Sequence, residues 1–223
     1  MASEAYADYE LRLSEAIALV RMALAAPDPV TASGCSKGAV VLAAAALERY
    51  MNDVLREAFR RLAVETYDEL AEGYQSYLVS QIAQRLNQSV GAMPTDTVLP
   101  QSKRDRFRRE VAQAAEALQR PSAWSHPPTF GTFLHGAAVP ERINAVLQRH
   151  DAEGRNLSAF LEANGADVAP AFHALTELIE ARHSAAHALP DRPSPSPKDA
   201  QTWLVLSFRL TRNIDRFLKF RPA

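Results

Sequence analysis

The chain has 223 residues, 47% hydrophobic and 23% charged, which supplies apolar material for a sizeable core and excludes wholesale disorder. Its 25 basic and 26 acidic residues leave a net charge of -1, so no global basic field draws in nucleic acid; a polyanion would need a local patch or a dimer groove. The single cysteine, Cys35, excludes an intramolecular disulfide and suits a reducing cytoplasm.

With Gly34, Ser36 and Lys37 around it and no histidine, Cys35 reads as a small buried residue at a helix start rather than a nucleophile. The N-terminus carries Glu4, Asp8 and Glu10, unlike a secretory leader. The longest apolar run, Ala39 to Leu47, is too short to span a bilayer, so no membrane is expected.

In chain order, Tyr6, Leu13, Ile17, Val20 and Leu24 recur at helical spacing from about Ser3 to Ala26 and stop at Pro27-Asp28-Pro29. Ser33 or Ser36 can cap a second, long helix, with a stripe of Val40, Ala44, Leu47, Met51, Val54, Ala58 and Leu62 widened by Leu55 and Phe59. Glu48 projects into this stripe, an anomaly unless it is paired. A third helix spans about 67–87. A loop over 88–101 holds Gly91, Pro94 and Pro100.

The fourth helix, about 102–118, opens with Lys103, Arg104, Arg106, Arg108 and Arg109, the strongest basic cluster in the chain. Only Phe107 interleaves, so a solvated face competes with a nucleic-acid contact involving Lys103, Arg104 and Arg106. Residues 120–140 read as a second loop insertion packed down by Trp124, Phe130 and Phe133, with His126 and His135 as surface or packing residues. Short helices follow at about 141–149 and 157–162. A longer one starts near Ala169-Pro170, a Pro-rich connection covers 190–197, and a last helix runs from about Lys198 to Phe220. That final helix gathers Trp203, Leu206, Leu210, Ile214, Phe217 and Leu218 on one side, with Arg209, Arg212, Arg216 and Lys219 elsewhere.

No stretch alternates with period two for long enough to demand a sheet, and no internal repeat is present. The fold class is therefore all-α, a single bundle over 1–223 of about six to eight helices with long connecting loops. Gly-rich phosphate loops, Cys-x-x-Cys pairs and Gly-x-Ser-x-Gly elbows are absent.

Chemistry concentrates in Glu177-Leu178-Ile179-Glu180-Ala181-Arg182-His183-Ser184-Ala185-Ala186-His187. Phe172, Leu175, Ile179 and Ala186 mark an apolar stripe there. Arg182 falls within that stripe, where a guanidinium is costly unless paired or lining a cleft. His183 and His187 stand one turn apart beside it. An arginine that stabilises negative charge next to a histidine that moves protons suits phosphodiester cleavage. Two histidines at i and i+4 could instead hold a metal, with His173 as a recruit, although no third ligand sits at a telling spacing.

The string Arg182-His183-Ser184-Ala185-Ala186-His187, late in a helical bundle, resembles the signature of the HEPN superfamily: arginine, a polar residue, a short spacer, then histidine. The early helix with Ala46-Leu47-Glu48-Arg49-Tyr50-Met51-Asn52-Asp53 is similar to the opening of its RiboL-PSP-HEPN branch. The resemblance implies a metal-independent endoribonuclease without cofactors, working as a homodimer that brings two motif copies to one cleft. Arg182 and His187 match its catalytic pair, and His183 matches the polar position between them.

Glu48 is a candidate support for Arg182 from the stripe argument. The resemblance further implies a toxin or defence component, and some family members pair with an antitoxin, so an antitoxin or effector partner is expected. The tyrosine that some carry two residues after the histidine is Leu189 here, so its modification is not expected. The alternative is a non-catalytic module of the same superfamily that binds RNA, a nucleotide or a partner protein.

Overall fold

The computed structural model describes residues 2–61, 66–70, 72–91, 100–124, 139–149, 154–165, 168–187 and 194–219, with the backbone alone at 59, 90, 122, 139, 140, 168 and 187. Among these residues there are eight α-helices and no strand. They are α1 (Glu4–Ala25), α2 (Pro29–Arg61), α3 (Glu72–Val90), α4 (Gln101–Gln119), α5 (Val139–Gln148), α6 (Leu157–Ala163), α7 (Val168–His187) and α8 (Pro197–Phe217). Single 3-10 turns occupy Tyr67–Glu69 and Pro121–Ala123. The chain is thus all-α, as the periodicity predicts.

Ser3 caps α1, its hydroxyl accepting the Tyr6 N–H at 3.0 Å. The face α1 buries is Tyr6, Tyr9, Leu13, Ala16, Val20 and Ala23. Two expected stripe members, Ile17 and Leu24, are instead 37% and 48% exposed. The alanines one residue before them take the inner positions because α1 lies close against α2. A Cβ at Gly38 of α2 would come 3.1 Å from Leu19 Cδ1, and Ala39, Ala43, Ala44 and Ala46 of α2 are all buried. Small residues allow that approach, so volume rather than hydrophobicity decides which side turns inward.

Helix α2 begins at Pro29, earlier than a Ser33 or Ser36 cap predicts. Asp28 does the capping: Thr31 donates its N–H to Asp28 Oδ1 at 2.8 Å and its hydroxyl to Oδ2 at 2.7 Å. These bonds, the backbone one first, hold the Asp28 carboxyl below its ordinary value. Proline then occupies the first turn, where its missing N–H costs nothing. The Pro27-Asp28-Pro29 breaker therefore both ends one helix and starts the next.

Cys35 consequently sits inside α2, half-buried rather than buried at a helix start. The stripe from Val40 through Val54 is buried, with Leu55, while Ala58 is partly buried against the core. Within α2, Pro29–Ala58 holds an 18-residue window of mean hydropathy 1.5, enough to cross a bilayer by length and composition alone. The packing of α2 against α1, α7 and α8 buries 39% of that window.

The apolar interior forms two clusters. The larger joins α1, α2, α5, α6, α7 and α8. The smaller holds Leu70, Tyr74, Leu78, Ile82, Ala114, Ala117 and Trp124, where α3 pairs with α4 and the two 3-10 turns close on α4. Arg149, just past α5, bridges toward the second cluster: it lies 5.3 Å from the centre of the Tyr77 ring, and its Cα would be 3.2 Å from a Cβ at Gly73.

The expected loop at 88–101 starts later, since α3 continues to Val90 and Gly91 takes φ 71° there, a conformation open to glycine. The remainder of that loop over 92–99, and most of the 120–140 insertion, lie outside the described residues; within the latter, 121–123 form a turn, Trp124 is buried and α5 begins at Val139. Residues 188–193 of the Pro-rich connection also lie outside them.

One polar knot locks the larger cluster. Asp215 of α8 is fully buried, and its carboxylate accepts the Ser3 N–H at 3.0 Å, the Ser3 hydroxyl at 2.6 Å and the Tyr50 hydroxyl at 3.1 Å. Tyr50 shares its proton with the Thr211 carbonyl, 2.8 Å away. Burial first, then the negative Asp215, holds the Tyr50 phenol well above its ordinary value, so it stays a donor. Around the knot pack Tyr6 and Tyr9, with ring centroids 6.3 Å and 5.4 Å from Tyr50.

Asp215→Ala is expected to cost about 2–4 kcal/mol of unfolding free energy, because it strips acceptors from buried donors; urea titration measures this, and a loss below about 0.5 kcal/mol would show that the knot contributes little. A second outcome concerns alkaline pH. Burial raises the phenols of Tyr9, Tyr50 and Tyr74 above the ordinary tyrosine value. Their stabilising contribution is fully present below the unfolded value near 10 and falls as pH climbs beyond it. Tyrosinate absorbance should therefore rise for these rings only together with loss of helical signal.

Candidate functional site

Helix α7 packs its buried face, Phe172, Ala174, Leu175, Leu178 and Ile179, against α2 and α8. Beyond Ile179 the helix leaves the core: Ala181 is only partly buried, His183 is exposed and so is Ala186, which the sequence stripe had placed inside. Arg182 stands at this edge and is half-buried. Its guanidinium is therefore not driven into the interior, and the cost expected from the stripe is relieved by water.

The helix runs on through His187, its last residue. At 100° per residue, positions 182 and 187 lie about 140° apart around the axis, while 183 and 187 lie only about 40° apart and one turn along. Backbone geometry thus groups the two histidine positions on one side and turns Arg182 toward another.

Glu48 lies half-buried on α2, the helix that flanks α7, and its carbonyl accepts from Asn52 Nδ2 at 3.0 Å. No ion pair between Glu48 and Arg182 occurs among the described residues; the pairs on that part of α2 are Arg49 with Asp8 and Asp53, and Arg56 with Asp53. Partial exposure lets water solvate both anomalous charges separately.

His173 is exposed on the same helix, ten residues before His183, about 15 Å along the axis. That spacing is far beyond what one metal ion spans, so His173 cannot complete a site with His183 and His187. Among the described residues no three His, Cys, Asp or Glu side chains cluster for a metal. His126 and His135 lie outside the described residues.

Lys103, Arg104 and Arg106 are exposed in the first turns of α4, where the Arg104 guanidinium donates to Gln101 Oε1 at 2.6 Å. Helix α4 belongs to the smaller cluster and α7 to the larger, so the basic turn and the Arg182 end of α7 rest on different cores.

Sequence reasoning missed two features of α8. Asp215 is one, since a carboxylate among Arg212, Arg216 and Lys219 reads as part of a solvated face. The other is a cavity of about 590 Å³ between α1 and α8, lined in part by Arg21, Arg209 and Arg212 and by neither Arg182 nor His183. Its sequence signal is the apolar surplus, Ile17, Leu24 and Val205, just outside the buried faces of those helices.

Compared with protein-family models, with curated proteins and with solved structures, the chain has no match.

A double-mutant cycle on Glu48→Gln and Arg182→Met should give a coupling below about 0.5 kcal/mol in thermal or urea unfolding, as for residues that share no contact. A coupling of 1 kcal/mol or more, on the order of a true partnered charge pair, would restore Glu48 as the support of Arg182.

Proposed function

We propose that the chain is a metal-independent endoribonuclease of the HEPN type, cytoplasmic and acting as a toxin or defence component, whose active centre forms when two protomers bring the ends of α7 together. The observation that carries this reading is the placement of a half-buried arginine and an exposed histidine at consecutive positions where α7 emerges from the core, with the helix continuing to His187. The all-α bundle is compatible with it. The divergence of positions 182 and 187 favours a composite centre, because the arginine of one protomer can face the histidines of the other across a two-fold axis.

In such a centre one histidine takes the proton from a ribose 2'-hydroxyl, and the oxygen attacks the adjacent phosphorus. The guanidinium of Arg182 holds the charge that builds on the phosphorane. A second histidine, His183 or His187, gives its proton to the departing 5'-oxygen. The products are a 2',3'-cyclic phosphate and a 5'-hydroxyl end, with no metal or cofactor involved. Lys103, Arg104 and Arg106 would add sequence-independent phosphate contacts. An antitoxin or effector would hold the activity in check.

Single-stranded RNA incubated with the purified protein in EDTA should be cut to 2',3'-cyclic phosphate ends, while DNA of the same sequence survives. Arg182→Ala and His187→Ala should each lower the rate by at least about 100-fold with folding intact. Cleavage undiminished in both variants would remove the nuclease reading. RNA bound but left whole by the wild type would replace it with the non-catalytic binding module.

A further inference from the structure

Helices α1 and α8 run antiparallel, since Ser3 at the start of α1 bonds Asp215 near the end of α8. Between them lies the 590 Å³ cavity, away from the α7 residues discussed above. Its floor includes the buried side chains of Leu13, Val20 and Leu204. Its sides carry Ile17 and Val205, 37% and 45% exposed, and the half-buried ring of Phe208.

Charge in the lining is lopsided. Arg209 and Arg212 stand one turn apart on α8 and Arg21 stands on α1, against the single carboxylate of Glu10. The ion pairs formed among the described residues engage none of these four groups. Antiparallel packing sets Arg209, Arg212 and Glu10 toward the end of the cavity where α1 begins, and Arg21 toward the other end. An apolar trough thus has two adjacent cationic forks against one carboxylate at one end, an excess of positive charge that one carboxylate or phosphate head group would balance.

We propose that this trough binds an amphipathic monoanion, an alkyl or aryl body carrying one acidic head group, free in solution. The apolar body would lie on Leu13, Val20 and Leu204, and the head group would meet Arg209 and Arg212. The volume falls within the roughly 300–1,000 Å³ of small-ligand sites. A protein partner is the poorer occupant, because a stable interface takes about 20–30 residues a side and would spread its charges along the contact.

Calorimetric titration with octanoate, decanoate and dodecanoate, each below its micelle-forming concentration, provides the test. One saturable site is expected, tightening about fourfold per added methylene until the trough is filled. Dodecyltrimethylammonium, the same chain with reversed charge, should bind at least tenfold more weakly than dodecanoate. The double variant Arg209→Ala/Arg212→Ala should weaken dodecanoate by about tenfold or more, and Val205→Trp, which fills the trough from an exposed position, should abolish binding. All three substituted residues are exposed, and thermal melts verify that the variants fold.

Absence of saturable binding, equal binding of the two amphiphiles, or indifference to Val205→Trp would each overturn the site. So would sedimentation showing that Val205→Trp converts a dimer into monomers, since the trough would then be covered by a second copy of the chain. Affinity for anionic vesicles with none for the free anions would overturn it as well, in favour of a lipid surface. RNA cleavage is measured separately and its outcome leaves this test unaffected.

Discussion

A single buried carboxylate holds the architecture in register. Asp215 lies without exposure among tyrosine rings, a placement that is strongly unfavourable unless the charge is matched by donors. It is matched from two directions: the Ser3 backbone and hydroxyl at the head of α1, and the Tyr50 phenol in the middle of α2. Ser3, Tyr50 and Asp215, far apart in sequence, therefore bring α1, α2 and α8 to one point with one allowed geometry. Hydrophobic burial would tolerate sliding along the helices; a buried carboxylate with directional bonds does not.

From that point the rest of the larger cluster follows. Ser3 both caps α1 and binds Asp215, so the start of the first helix and the end of the last are fixed together. Alanines on α1 and α2 let these helices close up. Because α2 is long, its further face remains available to α7 and α8. Helices α3 and α4 complete a separate apolar cluster around Tyr74 and Trp124, whose stability depends on its own contacts.

The positions of greatest chemical interest lie where this packing ends. Past Ile179, α7 has no more core to cover, and Arg182 and His183 occupy the stretch where it emerges. Charge there is inexpensive, because the guanidinium keeps part of its hydration while its stem covers apolar surface. The same reasoning accounts for the arginines beside the α1–α8 trough. Both regions set arginines beside apolar walls, and they lie on different helix pairs.

Much of this fold was legible from period and punctuation. Helix stripes, the breaker at Pro27-Asp28-Pro29 and the absence of any alternating run establish eight helices and their order, because local propensity and caps act over a few residues. Which residues of a stripe face inward was not legible: Ile17 and Leu24 lost the core to Ala16 and Ala23 because of how closely α2 approaches, a property of two helices together. The grouping of Arg182, His183 and His187 at one helix end is a fact of sequence. That Arg182 meets water at the edge of the core, that Glu48 forms no ion pair with it, and that Asp215 is the buried charge are decided by tertiary packing, since only the meeting of distant segments determines which charges keep their solvent and which must find donors.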